Sequence, residues 1–292
     1  MNSVLNVNLK PDDEIKGFIV KKKLHEGTSG SIFLVSNQNN KKIKGAMKVE
    51  PFMESKNDEI LKIEVFVLKK LQNSSHVCRL MASGKTDKFS FVVVSLLWKD
   101  LAELRRRIPG RKMSLPTTLK IGLQCLNAIQ DLHNAGFIHR NIKPTNFACG
   151  YFDKHAIYIF DFGLVRQITY LDKNGKFNLR EPKKRIFFHG TARYCSTNVH
   201  GSGDQGRQDD LVSFVFVLIE LLTGTLPWKG KQKKEAIYLK NTISDEDLFR
   251  NCPNSFLEIF KNLQKLTYHD IPDYNFYRNV IKHDLKRTKV KM

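Results

Sequence analysis

The sequence predicts an α+β fold of two lobes, a small strand-rich N-terminal lobe followed by a larger helical lobe. Short apolar or alternating runs fill the first third of the 292-residue chain, and longer segments with helical spacing replace them after Asp100. A hydrophobic content of 41% supplies enough side chains for a core in each lobe. We therefore expect an extension over residues 1–17, a first lobe over 18–94, a hinge over 95–99, a second lobe over 100–280 and a basic tail over 281–292.

The first lobe is predicted to hold a small sheet and one helix. Four runs are bounded by Gly, Asn, Ser or Lys clusters and read as strands: Phe18 to Leu24, Ile32 to Val35, Ile43 to Val49 and Phe89 to Leu97. Before the fourth run, Leu61, Val65, Leu68 and Leu71 recur at helical spacing.

The second lobe is predicted to be mainly helical. Its expected helices cover residues 117–134, 209–223, 257–266 and 274–284, and the first two are closed by Gly136 and Gly224. A short strand, Ile157 to Phe160, is expected between the first two helices. The residues from Lys282 to Met292 read as a mobile basic tail.

Composition limits the partners and the compartment. A formal net charge of +20 favours acidic or phosphorylated proteins, nucleic acid or anionic membranes. The five cysteines are scattered and form no C-x-x-C pair, which favours a reducing interior. The longest apolar run, Leu211 to Leu222, is too short to span a bilayer, and no signal peptide precedes it. We expect a soluble protein of the cytoplasm or nucleus with no membrane span.

One motif carries most of the functional argument. Residues 139–146, HRNIKPTN, and the later Asp161-Phe162-Gly163 match a protein-kinase catalytic loop and metal-binding turn at every position but one. The exception is Asn141, which stands where the pattern has an Asp that accepts the proton of the substrate hydroxyl. An amide cannot take up a proton near neutral pH.

The other candidate residues form a nucleotide site. Asn146 and Asp161 supply the oxygen ligands that Mg²⁺ requires, and Lys143 is placed to neutralise the transferring phosphoryl group. Lys48, in the third predicted strand, is the candidate lysine for the α- and β-phosphates, although a surface lysine is the alternative. Glu64 lies beside the apolar stripe of the first helix, where an acid needs a cation partner, so we predict a Lys48–Glu64 pair.

The loop between the first two strands, residues 25–30 (HEGTSG), is a weaker signal. Gly27 and Gly30 fit the second and third glycines of a G-x-G-x-x-G phosphate loop, but His25 occupies the first position. A simple turn is the alternative.

Several segments together resemble the casein kinase I superfamily, and within it the tau-tubulin kinase-like branch. They are LKIEV at 61–65, LKKLQ at 68–72, HVCR at 76–79, GTARY at 190–194, STN at 196–198 and GRQDDL at 206–211. The similarity runs from about Phe18 to about Val280, which is nearly the whole chain.

The resemblance implies a bilobal protein-kinase fold with ATP in the cleft. It places the adenine against the hinge around Ser95 and Leu97, with Val94 as gatekeeper. It also implies that Asp210 holds the backbone of the catalytic loop by hydrogen bonds, although Asp210 could instead be a simple helix cap.

The resemblance further implies acidic or already phosphorylated Ser/Thr substrates. The basic run Lys183-Lys184-Arg185 lies in the segment where such a substrate would dock. His189 stands where the family often has Arg, which removes one expected anion-binding group.

Two functional hypotheses follow. In the first, the protein binds Mg·ATP but transfers phosphate weakly or not at all, because positioned general-base catalysis contributes about 10² to 10⁴ in rate. In the second, it is an active Ser/Thr kinase for acidic or primed substrates. A nearby acid such as Asp153 or Asp204 would favour the second. Nucleic acid is not an expected partner, because no recognition motif accompanies the charge.

Overall fold

In the N-terminal lobe, alternating side chains form a curled antiparallel sheet. The computed structural model describes residues 7–27, 30–52, 60–183, 188–201 and 203–290. The six strands are β1 Glu14–Ile15, β2 Phe18–Gly27, β3 Gly30–Asn37, β4 Lys44–Pro51, β5 Leu80–Lys85 and β6 Phe89–Ser95, in the order β1-β2-β3-β4-β6-β5.

Alternation explains the core of this sheet. In β3, Phe33 and Val35 point inward, and in the neighbouring β4 Met47 and Val49 do the same, so that the residues between them are less buried. The other side chains of the same strands face the cleft or solvent. Lys48 falls between the two buried residues of β4 and therefore projects from the opposite face of the sheet.

One helix, α1 Ile60–Lys70, packs beneath the sheet. Its buried side chains are Leu61, Glu64, Val67 and Leu68, which recur at intervals of three and four residues. The stripe is apolar except for Glu64, so the helix brings one carboxylate to the inner side of the lobe.

The C-terminal lobe is helical, as expected. Its helices are α2 Leu101–Arg106, α3 Leu115–Asn134, α4 Thr197–His200, α5 Arg207–Thr223, α6 Lys233–Thr242, α7 Asp245–Phe249, α8 Asn254–Leu263 and α9 Tyr274–Val290. The short strands are β7 Leu97–Asp100, β8 Phe137–Ile138, β9 Phe147–Gly150, β10 Ile157–Ile159, β11 Arg166–Gln167, β12 Thr169–Leu171 and β13 Phe177–Leu179.

Helix α5 is the axis of this lobe. Every residue from 208 to 221 is buried, and the helix packs against both α3 and α8. A helix that is buried all round has its few charged groups paired. Glu220 has no solvent exposure, lies 3.2 Å from the Arg105 guanidinium of α2 and accepts a 2.5 Å hydrogen bond from the Tyr194 hydroxyl.

The hinge differs from the single strand predicted over residues 89–97. The chain leaves the N-terminal sheet at Ser95 and begins β7 at Leu97, which pairs with β9 of the second lobe. In the register, Gly45 lies opposite Ser95 on one side and Gly150 lies opposite Leu97 on the other, so Leu96 alone belongs to neither sheet.

The last helix extends further than predicted. We expected it to end at Asp284 before a mobile tail, but α9 continues to Val290. The reason is packing: Ile281 is fully buried, Leu285 packs against the main core, and the Asp284 carboxylate accepts a hydrogen bond from the Ser255 backbone. The expected tail is therefore helical up to Val290.

Two findings bear on the chemistry expected of the chain. All five cysteines are free thiols. In the part of the chain that the structure describes, no helix has the length and apolar character needed to cross a bilayer.

Candidate active site

An ion pair joins the sheet to the helix of the first lobe. Lys48 Nζ of β4 donates to Glu64 Oε2 of α1 at 2.6 Å, and both side chains are largely shielded from solvent. Burial alone would lower the pKa of Lys48, but the carboxylates of Glu64, Asp161 and Glu50 outweigh it and raise the pKa. Lys48 is therefore firmly charged at neutral pH, and the predicted Lys48–Glu64 pair is present.

Glu50 is a member of this cluster that the sequence did not reveal. It lies two residues after Lys48, is buried, and accepts hydrogen bonds from the backbone nitrogens of Ile60 and Leu61. These are orphan donors of the first turn of α1, so Glu50 fixes where the helix begins relative to β4. Burial raises the pKa of the Glu50 carboxyl.

The catalytic loop is held from beneath by Asp210, at the start of α5. One oxygen of Asp210 accepts from the His139 backbone nitrogen at 2.6 Å, and the other accepts from the Arg140 backbone nitrogen at 2.9 Å. His133 Nε2 contacts the first oxygen at 3.0 Å. Burial would raise the pKa of Asp210, but these partners lower it. The role expected for Asp210 is confirmed, because these bonds reach the loop rather than the helix alone.

Asn141 is held on two sides. Its backbone oxygen accepts a 2.9 Å hydrogen bond from the Asn146 side-chain nitrogen, and its side-chain Oδ1 accepts a 2.8 Å bond from the Thr191 hydroxyl. The side chain is nearly buried, with 8% of the residue exposed. In either orientation of the amide, one polar group meets Thr191, and neither group can take up a proton near neutral pH.

Gly190 brings Thr191 to this position. Its φ is +111°, and a Cβ at this residue would come within 2.5 Å of the Arg140 backbone oxygen. Only glycine permits this close approach in that conformation. The segment before Thr191 is therefore pressed against the catalytic loop, a contact between residues 50 positions apart.

Asn146 and Asp161 present side-chain oxygen atoms without a hydrogen bond among the described residues. Asn146 donates its amide nitrogen to the Asn141 backbone oxygen, and within the same residues its Oδ1 accepts no bond. Asp161 has left-handed backbone angles, with φ of +66°, and among the described residues its carboxylate makes no hydrogen bond. Two open oxygen donors suit a hard cation such as Mg²⁺, which takes one or two protein ligands together with phosphate and water oxygens. These residues fit Mg·ATP.

Lys143 precedes the short helical turn Pro144–Asn146 in the same loop. Within the described ranges, its ammonium group has neither a hydrogen bond nor an ion pair with the protein. A cation left without a protein partner beside Asn141 and Asn146 is available to an anion in the cleft.

The protein kinase domain family matches residues 18–270 of the chain. The chain belongs to the protein kinase family. This match confirms the predicted bilobal α+β kinase fold. A relative named as casein kinase I confirms the predicted resemblance to that family.

Two relatives of this kinase domain are serine/threonine kinases by name, and a third is named as a casein kinase I. A probable serine/threonine-protein kinase of Dictyostelium discoideum is 38% identical over 281 residues, which are 94% of this chain and 55% of that protein. A putative serine/threonine-protein kinase of Caenorhabditis elegans is 36% identical over 263 residues, covering 89% and 75%. A putative casein kinase I of the same worm is 34% identical over 245 residues, covering 80% and 70%. The chain thus spans about half the length of the Dictyostelium relative.

The predicted hinge residues lie where the N-terminal sheet ends and β7 begins. Val94 is half-buried and pairs with Ala46 of β4, next to Met47 and Lys48. The Ser95 hydroxyl accepts a hydrogen bond from the Arg79 backbone nitrogen, and Leu97 opens β7.

Gly27 and Gly30 pair at the tip of the β2–β3 hairpin. Residues 28 and 29 of the predicted phosphate loop lie outside the described residues. A Cβ at Gly30, whose φ is +128°, would come within 2.1 Å of the Val49 oxygen, so this glycine is required by the sheet itself. His25 is exposed on the same hairpin.

Asp153 and Asp204, the two acids that could stand in for the missing base, are not hydrogen-bonded to Asn141. Asp204 is buried, and its two oxygens meet the Arg166 guanidinium and, at 2.6 Å, the Lys183 backbone nitrogen. Asp153 lies in the exposed turn beyond β9, where it accepts from the His155 backbone nitrogen. Both carboxylates are therefore engaged in local structure.

A basic pocket of about 970 Å³ lies between α1 and the segment before Thr191. Within the described residues, its lining carries six Lys and Arg side chains and no Asp or Glu: Lys62, Lys69, Arg140, Arg166, Arg180 and Lys183. His189 also lines it, and burial together with Arg140 lowers the pKa of that imidazole. Of the predicted basic run, Lys184 and Arg185 lie outside the described residues.

Proposed function

We propose that this kinase domain binds Mg·ATP in its cleft and transfers phosphate to protein serine or threonine weakly or not at all. It would then act as a pseudokinase-like regulator. The observation that carries the proposal is the contrast between the charged 2.6 Å Lys48–Glu64 pair and the uncharged Asn141 at the base position.

The residue roles divide between binding and chemistry. Lys48, fixed by Glu64, would contact the α- and β-phosphates, and Asn146 and Asp161 would hold the metal, which supplies charge neutralisation when bound. Lys143 would face the transferring phosphoryl group. Adenine would lie against Val94, Ser95 and Leu97, and Gly27 and Gly30 would close over the phosphates.

The size of the expected defect follows from the missing base. A turnover of about 1–100 s⁻¹ in an ordinary kinase, reduced by about 10² to 10⁴, leaves between about 1 and 10⁻⁴ s⁻¹. The loose transition state of phosphoryl transfer limits the loss, because the nucleophile gives up its proton late and positioning carries most of the catalysis.

An acidic or phosphorylated protein is the partner we propose for the substrate side. The basic pocket supports this, because its six Lys and Arg side chains adjoin the segment that ends at Thr191. Guanidinium and ammonium groups form short, charge-assisted hydrogen bonds with carboxylates and phosphates.

An active kinase is the second candidate, and one contact favours it. The Thr191 hydroxyl holds the Asn141 side chain at 2.8 Å, so that the amide is fixed rather than free to rotate. A fixed amide oxygen can orient an incoming hydroxyl without accepting its proton. The relatives of this chain are named as serine/threonine kinases.

The test is radiolabelled phosphate transfer to casein by the wild-type chain beside its Asn141→Asp variant. We expect the variant to exceed the wild type by about 10² to 10⁴, and both to show Mg·ATP-dependent thermal stabilisation. An Asp161→Asn variant sets the background. Equal transfer by wild type and Asn141→Asp would establish the active kinase instead, and the absence of any ATP-dependent stabilisation would contradict nucleotide binding.

A further inference from the structure

A second groove lies on the hinge side of the C-terminal lobe, outside the nucleotide cleft. Its volume is about 820 Å³, and it runs between α2, α3 and the turn that joins β9 to β10. Aliphatic side chains dominate its walls, among them Leu104, Ile108, Ile121 and Leu123. This volume is within the range of about 300–1,000 Å³ that is usual for ligand-binding clefts.

The groove is preformed, because its floor is tied down. The side chain of Gln124 on α3 donates to the His155 backbone oxygen and accepts from the Ile157 backbone nitrogen, both at 2.9 Å. These two bonds fix the β9–β10 turn to the helix. They also satisfy the Gln124 amide, so that the floor offers few free polar groups.

The rim of the groove is basic. Lys120 of α3 and Lys154 of the turn are exposed lining residues, and in the described parts of the chain neither forms an ion pair. Arg107 lies on the opposite side and pairs with Glu103 at 2.7 Å. Since Glu103 also lies 3.8 Å from Lys99, this acid is already shared between two cations.

One exposed aromatic side chain lines the groove, and another lies in the turn that borders it. Trp98 is 40% exposed and lines it, and Phe152, in the same turn as Lys154, is 81% exposed. The ammonium groups of Lys99 and Lys154 lie over the Trp98 ring, 4.9 and 4.7 Å from its centre. An exposed apolar surface of this kind, rimmed by one sign of charge, is typical of a docking site.

We propose that this groove, which we call the hinge-side groove, docks an acidic protein segment that inserts one or two aliphatic side chains. The charge of the rim selects an acidic segment, and the aliphatic walls select its apolar residues. Nucleic acid shares the negative charge but fits less well. The ammonium groups over Trp98 occupy the ring face on which a base would stack, and the Gln124 amide is already bonded to the backbone.

Thr117 offers a variant that changes the groove without endangering the fold. It lines the groove, is exposed, and is the third residue of α3, whose N-cap is Ser114. Thr117→Glu completes a capping box with Ser114, so the helix should be at least as stable, while a carboxylate enters the groove. Thr117→Gln keeps the cap without the charge and is the matched control.

The experiment is selection of a random twelve-residue peptide library, displayed on phage, against the purified chain saturated with ATP. We expect the enriched peptides to combine Asp or Glu with Leu, Ile or Val. Their affinities, measured by fluorescence anisotropy, should fall at least tenfold in Thr117→Glu and in Lys120→Glu/Lys154→Glu. They should change less than threefold in Thr117→Gln and in Lys173→Glu/Lys176→Glu, which reverses two exposed lysines elsewhere.

The proposal is overturned if no peptide is enriched, if the enriched peptides are neutral or basic, or if binding persists in both groove variants. It is equally overturned if a single-stranded twelve-nucleotide RNA binds more tightly than the peptides and loses affinity in the same variants. Because peptide binding is measured at a groove that shares no residue with the proposed nucleotide site, failure here is separate from failure of the proposed function, which the thermal stabilisation by Mg·ATP tests.

Discussion

The two sides of the cleft are held by different chemistry. On the nucleotide side, Lys48 and Glu64 are joined by a charged bond of 2.6 Å, and Asp161 adds a further negative charge nearby. On the substrate side, Asn141 and Thr191 are joined by an amide–hydroxyl bond of 2.8 Å. Binding an anion requires fixed charge, whereas removing a proton requires a base, so under the proposed function this difference favours nucleotide binding over phosphoryl transfer.

Different structural elements hold the two sides of the cleft in place. The nucleotide side depends on one helix and one strand of the first lobe, with Glu50 fixing the start of the helix. The substrate side depends on a long segment, residues 188–201, pressed against the catalytic loop at Gly190 and anchored by Lys240 of α6. Perturbations of the two sides should therefore be separable.

The largest expected effect is at Lys48. Lys48→Met leaves Glu64 without its partner in a shielded position, and removing one member of a buried pair costs about 3–5 kcal/mol. The variant should also lose the thermal stabilisation by Mg·ATP, which is about 2.7 kcal/mol at a ligand concentration of 100 Kd. Urea unfolding with and without nucleotide measures both.

Lys62→Met, on the exposed side of the α1 helix that carries Glu64, is the matched control. It makes the same substitution of a lysine without breaking the Lys48–Glu64 pair, so stability and nucleotide response should stay near those of the wild type. If Lys48→Met retained the full response to ATP, the assignment of the nucleotide side would be wrong.

The next effect is at Gly190. Gly190→Ala forces an alanine to a φ of +111° and brings its Cβ within 2.5 Å of the Arg140 oxygen, whereas Gly175→Ala has φ of +75° and open space. Both variants carry the cost of a left-handed residue, about 1–2 kcal/mol, and only Gly190 adds overpacking of about 1–3 kcal/mol. Chemical denaturation should rank Gly190→Ala as the less stable of the two.

Gly190→Ala should also disturb the substrate side alone. In the Asn141→Asp background, where transfer is measurable, Gly190→Ala should reduce transfer while Mg·ATP still stabilises the protein. Equal effects of the two alanine variants on stability and transfer would show that Gly190 has no special contact with the catalytic loop.

The nucleotide side was largely predictable from sequence, and the substrate side was not. Lys48, Asn146 and Asp161 sit in local motifs whose spacing fixes their chemistry, and the Lys48–Glu64 pair followed from the need of a shielded acid for a cation. The contact of Thr191 with Asn141 spans 50 positions and depends on how a segment without regular structure folds back. No periodicity encodes such a contact.

Some missed features had a usable signal. Helix α2 begins at Leu101 after an Asp100 N-cap that accepts from the Glu103 backbone nitrogen, and the Asp-x-x-Glu spacing is a recognisable start signal. The end of α9 was predicted too early, because the sequence signal there was misleading. The residues after Asp284 are rich in Lys and Arg and read as a solvated tail, yet they contain no Gly or Pro to stop a helix.

Mild acid should destabilise the fold in part through His200, which lies on the substrate side. Its ring nitrogen lies 3.2 Å from Cys195 Sγ and 3.3 Å from Lys240 Nζ, and burial together with Lys240 and Lys233 lowers the pKa of His200 to about 4. In the unfolded chain this histidine takes up a proton near pH 6.5. Below pH 6.5 the unfolded state therefore binds more protons, and stability is lost as the pH falls from 6.5 towards 4.

The measurement is the free energy of unfolding at pH 7 and pH 5 for wild type and His200→Gln. The loss between the two pH values should be smaller in the variant. Burial also lowers the pKa of His133 and His139, which contribute to the same window in both proteins, so only the difference reports His200. His269→Gln, at an exposed histidine, should keep the wild-type loss. An unchanged loss in His200→Gln would contradict the prediction.

The smallest expected effect is at Thr191, and it is the most direct probe of the substrate side. Thr191→Val removes the hydroxyl that donates to Asn141, a neutral hydrogen bond worth about 0.5–1.5 kcal/mol, whereas Thr191→Ser keeps the donor. If residue 141 is changed to Asp, the same hydroxyl donates to a charged acceptor, and charge-assisted bonds are about twice as strong. A double-mutant cycle over positions 141 and 191, read by unfolding free energy, should therefore give a larger coupling for Asp than for Asn. Equal couplings would mean that the Thr191 hydroxyl does not hold the residue at the base position, and that the amide is not fixed for an incoming substrate.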